Sequence, residues 1–349
     1  MANSYKETTV LMMDSKTDAT LVEHLKAGTQ QLLKYTSLVT LTVQNAALNL
    51  TMRMARTQKD LFMASTAVVM AEVIKLITCL ALVWIDEGSF SKAIVSIYRT
   101  VIKQPMDTVK VAIPSLVYTL QNNLIYVGAT HLDAATCQVT YQLKILTTAL
   151  FSVAMLHKRL SPVQWIALLF LFLGVALVQL AQISAPQINS AGRIQYPFVG
   201  FTAIFIACCL SGFAGVYFEK ILKGSDISVW MRNVQLSTLA IPFGLITLLV
   251  SDFSNLQEKG FFFGYNALIW IVILLQALGG LIVAVVVKYA DNILKGFATS
   301  LAIVLSCIVS VYAFNFQLTL KFVVGAALVI ASIFLYSQST VKSNQDFKK

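Results

Sequence analysis

The run AATCQVTYQLKILTTALFSVAML, residues Ala134–Leu156, carries a single charge, Lys144. Its length matches the ~20 residues that cross a bilayer as one helix. The nearest acid along the chain is Asp133, eleven residues back, which is roughly 16 Å at a helical rise of about 1.5 Å per residue. A lysine at that depth costs at least ~2.5 kcal/mol on insertion scales unless it is compensated. No carboxylate is available in the same segment, so the sequence points to a distant helix or a bound anion as the compensating group. Lys144 is therefore a site candidate from the outset.

The rest of the chain repeats that character. Of its 349 residues, 57% are hydrophobic and 12% charged, and its mean hydropathy is +0.75. Those values describe an all-α polytopic membrane protein rather than a soluble domain. Further hydropathic segments lie near Lys34–Met52, Ala64–Ile85, Thr108–Thr130, Pro162–Gln182, Pro197–Ile221, Val229–Ser251, Ala267–Val287, Ile293–Phe314 and Leu318–Tyr336. With Ala134–Leu156 they make ten expected transmembrane helices. No alternation with period two supports a β-barrel.

Basic residues set the orientation. With ten spans both termini share one side, and that side carries eighteen lysines and arginines against six on the other. Setting aside Lys288 and Lys295 at a span boundary leaves sixteen against six. The positive-inside rule then places both termini in the cytosol. The net charge of +10 is mostly this asymmetry, and it argues for no nucleic-acid partner. Residues 1–33 are polar without an apolar core, so they are expected to be a disordered cytosolic tail with no cleavable signal. A ten-helix domain over 34–337 and a short cytosolic tail over 338–349 complete the plan. The five cysteines (Cys79, Cys137, Cys208, Cys209 and Cys307) lie within spans, without metal-ligand spacing. Asn49-Leu50-Thr51 matches a glycosylation acceptor but sits at the membrane boundary, so it is expected to be unused.

The two halves echo one another. Asp133 opens the fourth span and Asp291 the ninth. Gly174-Val-Ala-Leu-Val178 in the fifth resembles Gly325-Ala-Ala-Leu-Val329 in the tenth. Five spans repeated once must insert the second half upside down, which predicts two inverted five-helix halves with a site between them near the midplane. Small residues in the sixth and eighth spans, Ser211 with Gly215 and Gly280 with Ala284, suit close helix approach. Gly212 and Gly215 are also expected to let a planar ligand lie against backbone.

Polar side chains mark the inward faces. Tyr118, Gln121 and Asn122 share one face of the third span by their i, i+3, i+4 spacing. Tyr141 lies one turn before Lys144. Glu72 and Lys75, three apart, are placed to pair. Lys295 has Asp291 four residues earlier and borders the polar notch Gly296-Phe297-Ala298-Thr299-Ser300. Two lysines from opposite halves, Lys144 and Lys295, suit a diphosphate, and aromatic, amide and glycine neighbours suit a base and a sugar. An organic phosphate is the expected substrate. No phosphate-binding loop, zinc helix or dinucleotide fingerprint is present, and no cofactor is implied. An embedded transferase would need a general base and usually a paired metal-binding carboxylate site. The scattered acids do not provide one, so no enzyme activity is expected. An exporter of organic cations would need an acidic or neutral cavity, whereas this one is basic.

The stretches Tyr118-Thr-Leu-Gln-Asn-Asn123, Asp133-Ala-Ala-Thr-Cys-Gln-Val-Thr-Tyr-Gln-Leu-Lys144, Ser211-Gly-Phe-Ala-Gly-Val-Tyr-Phe-Glu-Lys220 and Lys288-Tyr-Ala-Asp-Asn-Ile-Leu-Lys-Gly-Phe297 resemble the Golgi nucleotide-sugar transporters. The branch they most resemble handles UDP-galactose and UDP-N-acetylglucosamine; the alternative is a carrier of another nucleotide sugar, such as CMP-sialic acid or UDP-N-acetylgalactosamine. The resemblance runs from about Lys34 to Tyr336. It implies a drug/metabolite-transporter fold in the Golgi membrane that exchanges cytosolic UDP-sugar for luminal UMP. It places Lys144 and Lys295 at the phosphates, and Tyr118, Gln121, Asn122, Gly212, Gly215 and Asn233 around the nucleotide. Glu72 and Lys75 then lie toward the sugar, where Thr299 and Ser300 are also expected to act. Tyr141 and Ser211 complete the expected binding set. Expected partners are the UDP-sugar, UMP, the lipid bilayer, and either a second copy of the chain or a glycosyltransferase. One departure stands out: relatives commonly carry tyrosine where Cys137 stands.

Overall fold

In the computed structural model, backbone is described over residues 36, 38–182, 187–188, 194–223, 227–289, 292–314 and 316–346. Side chains are described over most of these residues, but not over 181–182, 187–188, 222–223, 283–289, 292–300, 314, 337 or 339–346. The expected tail over 1–33 lies outside them.

Helices follow the apolar segments, because in lipid each backbone N–H and C=O must be bonded within its own segment. In chain order they are α1 (38–56), α2 (Ala64–Glu87), α3 (Phe90–Ile97), a π-turn (Tyr98–Ile102), α4 (Pro105–His131), α5 (Ala134–Thr140) and α6 (Leu143–Leu156). Then come α7 (Pro162–Gln182), α8 (Pro197–Lys223), α9 (Val229–Ser251), α10 (Phe253–Lys259), α11 (Ala267–Tyr289), α12 (Asn292–Phe314) and α13 (Leu320–Asp346). Pro105, Pro162 and Pro197 each open a helix, where a missing N–H costs nothing and φ is already set. Gly88 ends α2 with φ 66°, a left-handed conformation that suits glycine. Among the described residues, five segments are long and apolar enough to cross a membrane: Ala64–Glu87, Ala134–Leu156, Pro162–Leu180, Pro197–Ile221 and Val229–Ser251. The protein is a polytopic helical membrane protein. A two-residue ladder, Gln187–Ile188 with Ile194–Gln195, lies between α7 and α8.

Ala134–Leu156 is not one continuous helix. It breaks at Tyr141 and Gln142, between α5 and α6. The break tightens the backbone: Gln142 N–H donates to Val139 O at 3.1 Å, Lys144 N–H to Tyr141 O at 3.2 Å and Ile145 N–H to Gln142 O at 2.9 Å. These are three-residue steps in place of four. The Cys208 thiol on α8 also reaches the Tyr141 carbonyl, at 3.5 Å, and Thr147 Oγ1 donates to Cys208 O at 2.6 Å.

The Gly174 and Gly325 motifs meet face to face. A Cβ on Gly174 would stand 2.7 Å from the Gly325 carbonyl oxygen and 2.8 Å from Val329 Cγ2. A Cβ on Gly325 would stand 2.6 Å from the Gly174 oxygen and 2.8 Å from Val178 Cγ2. The α7–α13 contact is thus reciprocal, glycine against glycine and valine against glycine. A second exchange involves the starts of α2 and α9. Thr66 on α2 accepts from the Tyr265 hydroxyl just before α11, at 3.1 Å, while Arg232 on α9 pairs with Asp107 in the first turn of α4.

Three arginines counted above as flanking charges prove to be buried. Arg232 is 0% exposed and also donates to Gln235 at 2.8 Å. Arg53 donates to the carbonyls of Ala129 and Thr130, both at 3.0 Å, and to Gln195 at 2.9 Å. It lies 3.4 Å from Asp133. Arg56 donates to Thr130 Oγ1 at 2.7 Å and Phe62 O at 2.8 Å. Arg53 caps the last carbonyls of α4, where a cation meets the negative end of the helix dipole. Asn49 donates to Asn45 O at 2.9 Å and to Gln138 within the protein, which agrees with an unused glycosylation match.

Candidate functional site

The break between α5 and α6 presents Tyr141 to α4 and α8. Gln121 Nε2 donates to the Tyr141 hydroxyl at 2.9 Å, and Ser211 lies beside the same phenol. Lys144 Nζ stands 4.4 Å from the centre of the Tyr141 ring, a cation–π distance. The hydroxyl of Tyr118 is the group nearest Gly215, 3.9 Å from where a Cβ would stand. Residues from three helices and the break thus converge: Tyr118 and Gln121 from α4, Tyr141 from the break, Lys144 from α6, and Ser211 and Gly215 from α8.

This cluster holds an unspent hydrogen-bond acceptor. Gln121 is 6% exposed, and because its amide nitrogen serves Tyr141, its Oε1 is buried with no partner among the described residues. A buried unpaired carbonyl costs about 1–3 kcal/mol, which a donor on a bound molecule would offset. Tyr118, Lys144 and Asn122 are only partly buried. Among the described residues, the arrangement offers a cation, an aromatic face, hydroxyls and an amide acceptor in a protein interior.

Other expected residues serve elsewhere. Gly212 does not face open space: a Cβ there would meet Thr147 Oγ1 at 2.6 Å and the Thr147 and Thr148 backbone at 2.7 and 2.8 Å. Its missing side chain lets α8 lie against α6. Glu72 and Lys75 form an ion pair at 2.7 Å on α2, matching the expected pairing. Asn233 turns its amide back to Val229 O at 2.9 Å. The side chains of Lys295, Thr299 and Ser300 lie outside the described residues, as does Asp291; their backbone positions in α12 run along its first turns.

The sequence reading missed the buried arginines. Arg232 sits beside Asn233, and Asp107 lies on the helix that carries Tyr118 and Gln121, so their pair fixes α9 against α4. The available signal was an acid in the first turn of one span and a base at the start of another, which charge counting alone treats as loop charges.

Helices long and apolar enough to cross a membrane, gathered around a lysine-bearing polar cluster, define a polytopic membrane protein. A family model described as nucleotide-sugar transporter matches residues 29–337. The chain is 54% identical over 310 residues to the UDP-galactose translocator of Homo sapiens, covering 87% of this chain and 77% of that protein. It is 51% identical over 312 residues to the UDP-N-acetylglucosamine transporter of Homo sapiens, covering 87% and 95%. A solved crystal structure at 14% identity covers 89% of this chain and 98% of its own with a TM-score of 0.54, a likeness of fold. The chain belongs to the nucleotide-sugar transporter family.

Proposed function

We propose that this protein carries UDP-galactose, and UDP-N-acetylglucosamine with it, into the Golgi lumen in exchange for UMP. The observation that carries the substrate class is the identity of 51–54% to relatives named for these two sugars. Ten crossings, two inverted five-helix halves and cytosolic termini complete the proposal. The reciprocal Gly174–Gly325 contact supports the inverted halves, since a two-fold operation exchanges its partners.

Lys144 and Lys295 are assigned to the phosphates, and Tyr118, Gln121 and Asn122 to the nucleoside. The Tyr141 hydroxyl, held by Gln121, fixes the ring under the Lys144 ammonium. A UDP-sugar carries two negative charges on its diphosphate, and UMP carries about −1.5 to −2 near neutral pH, by analogy with other phosphate monoesters. Exchange then moves little net charge, so the membrane potential hardly biases it.

The test is counterflow in proteoliposomes preloaded with UMP or CMP and offered a panel of nucleotide sugars. UDP-galactose uptake driven by UMP, above CMP-sialic acid uptake, is the expected result. Preference for CMP-sialic acid, or uptake independent of a preloaded nucleotide, would overturn the reading.

A further inference from the structure

We infer that the segment from α3 through the π-turn, Phe90–Ile102, lies flat in the bilayer surface and binds anionic phospholipid. It joins α2 to α4, outside every segment long enough to cross. Gly88, left-handed at φ 66°, turns the chain out of α2, and Trp84 meets Phe90 edge to face at 5.9 Å across that corner.

Three faces divide the segment. Ala93 is buried, and Ile97 and Val101 pack with it against Cys79, Val83 and Met231. Beside that face runs an apolar row at four-residue spacing, Phe90, Ile94, Tyr98 and Ile102, exposed by 64%, 50%, 52% and 61%. Lys92, Ser96, Arg99 and Lys103 recur at four- and three-residue spacing on another side. From Gly88 to Met106 every charged side chain is basic. A helix with one side on the protein, an exposed apolar row and a basic row fits the boundary between acyl chains and headgroups. The basic row selects anionic headgroups, because lysine and arginine near such a surface gain from its negative potential.

The groove along Ser91, Lys92, Val95, Ser96 and Arg99 is closed at one end by Glu87. An anionic headgroup therefore seats toward Lys92, Ser96 and Arg99, away from that carboxylate. This inference needs the helix at membrane level but not the substrate assignment, and its test requires no transport.

The full chain in neutral detergent is melted with added phosphatidylglycerol or phosphatidylcholine. Phosphatidylglycerol should raise the midpoint more than phosphatidylcholine, and salt should shrink the difference. Combined Lys92→Gln, Arg99→Gln and Lys103→Gln should remove at least half of it, while Phe90→Ser with Ile94→Ser should weaken the response to both lipids. Equal responses of the wild-type chain to the two lipids would overturn the proposal without any variant, as would an undiminished difference in the triple variant. In vesicles, a spin label at Ile94→Cys, read against the parent chain, should be reached by oxygen rather than by a water-soluble nickel chelate. The reverse pattern would leave that face to a protein partner and reject the lipid.

Discussion

Lys144 is held 4.4 Å above a ring whose hydroxyl is fixed by Gln121. Its ammonium is therefore positioned before any ligand arrives, and reaching a phosphate from there costs little ordering. Hydrogen bonds to charged groups contribute about 1.5–3 kcal/mol, so Lys144→Ala should lower counterflow by roughly 10- to 150-fold. Insertion and melting should change far less, and wild-type exchange by that variant would end the assignment. A second prediction concerns the sugar end. Replacing Thr299 and Ser300 together by alanine should alter discrimination among UDP-sugars while leaving UMP competition nearly unchanged. Equal losses for both would reduce the two hydroxyls to packing. Lys144 was legible in the sequence because a lone charge in an apolar run is costly wherever the helix packs. Gly212 left two uses open, because a glycine that admits a ligand and one that admits another helix look alike until the neighbour is known.

Between α5 and α6 the sequence gives no warning of the break, since Tyr141-Gln142 contains neither glycine nor proline and the apolar character continues into Leu143. The backbone is instead satisfied by three-residue hydrogen bonds and by Cys208 from α8, contacts that are absent from any local pattern. The likeness of α7 and α13 was legible, because Gly174 to Val178 and Gly325 to Val329 repeat both composition and spacing, whereas their direct contact was not. Here a valine at either glycine would drive Cβ to within 2.6–2.7 Å of a backbone carbonyl, forcing the helices apart. Gly174→Val or Gly325→Val should each cost about 1–3 kcal/mol as overpacking. Because each glycine contacts the other, the double variant should depart from additivity by at least about 0.5 kcal/mol. Denaturation of the four chains in detergent measures this; strictly additive losses would mean that the two sites do not share one contact.

Across the whole molecule, the proposed inverted halves would be clamped unequally. The start of α2 is tied to the approach to α11 by a neutral bond from Tyr265 to Thr66 at 3.1 Å. The start of α9 is tied to α4 by Arg232, 0% exposed, on Asp107, whose side chain is 25% exposed, with Gln235 adding a bond to the same carboxylate at 3.1 Å. In the proposed exchange, rocking one half against the other would loosen these ties alternately, and the charged one is expected to hold harder. Removing one member of a buried pair costs about 3–5 kcal/mol, while replacing both by apolar groups is often neutral. Partial exposure of Asp107 places the present case at or below the lower end of that range. Asp107→Asn should therefore destabilise by up to about 3 kcal/mol and speed amide exchange in the first turn of α9. Tyr265→Phe should cost about 1 kcal/mol and speed exchange at the start of α2. Asp107→Leu combined with Arg232→Met should recover most of the melting temperature, because no charge is then left buried without its counter-charge. The decisive comparison is between the single and double variants by hydrogen–deuterium exchange and thermal melting. If Asp107→Asn weakens α9 no more than Tyr265→Phe weakens α2, the ion pair is not the stronger clamp.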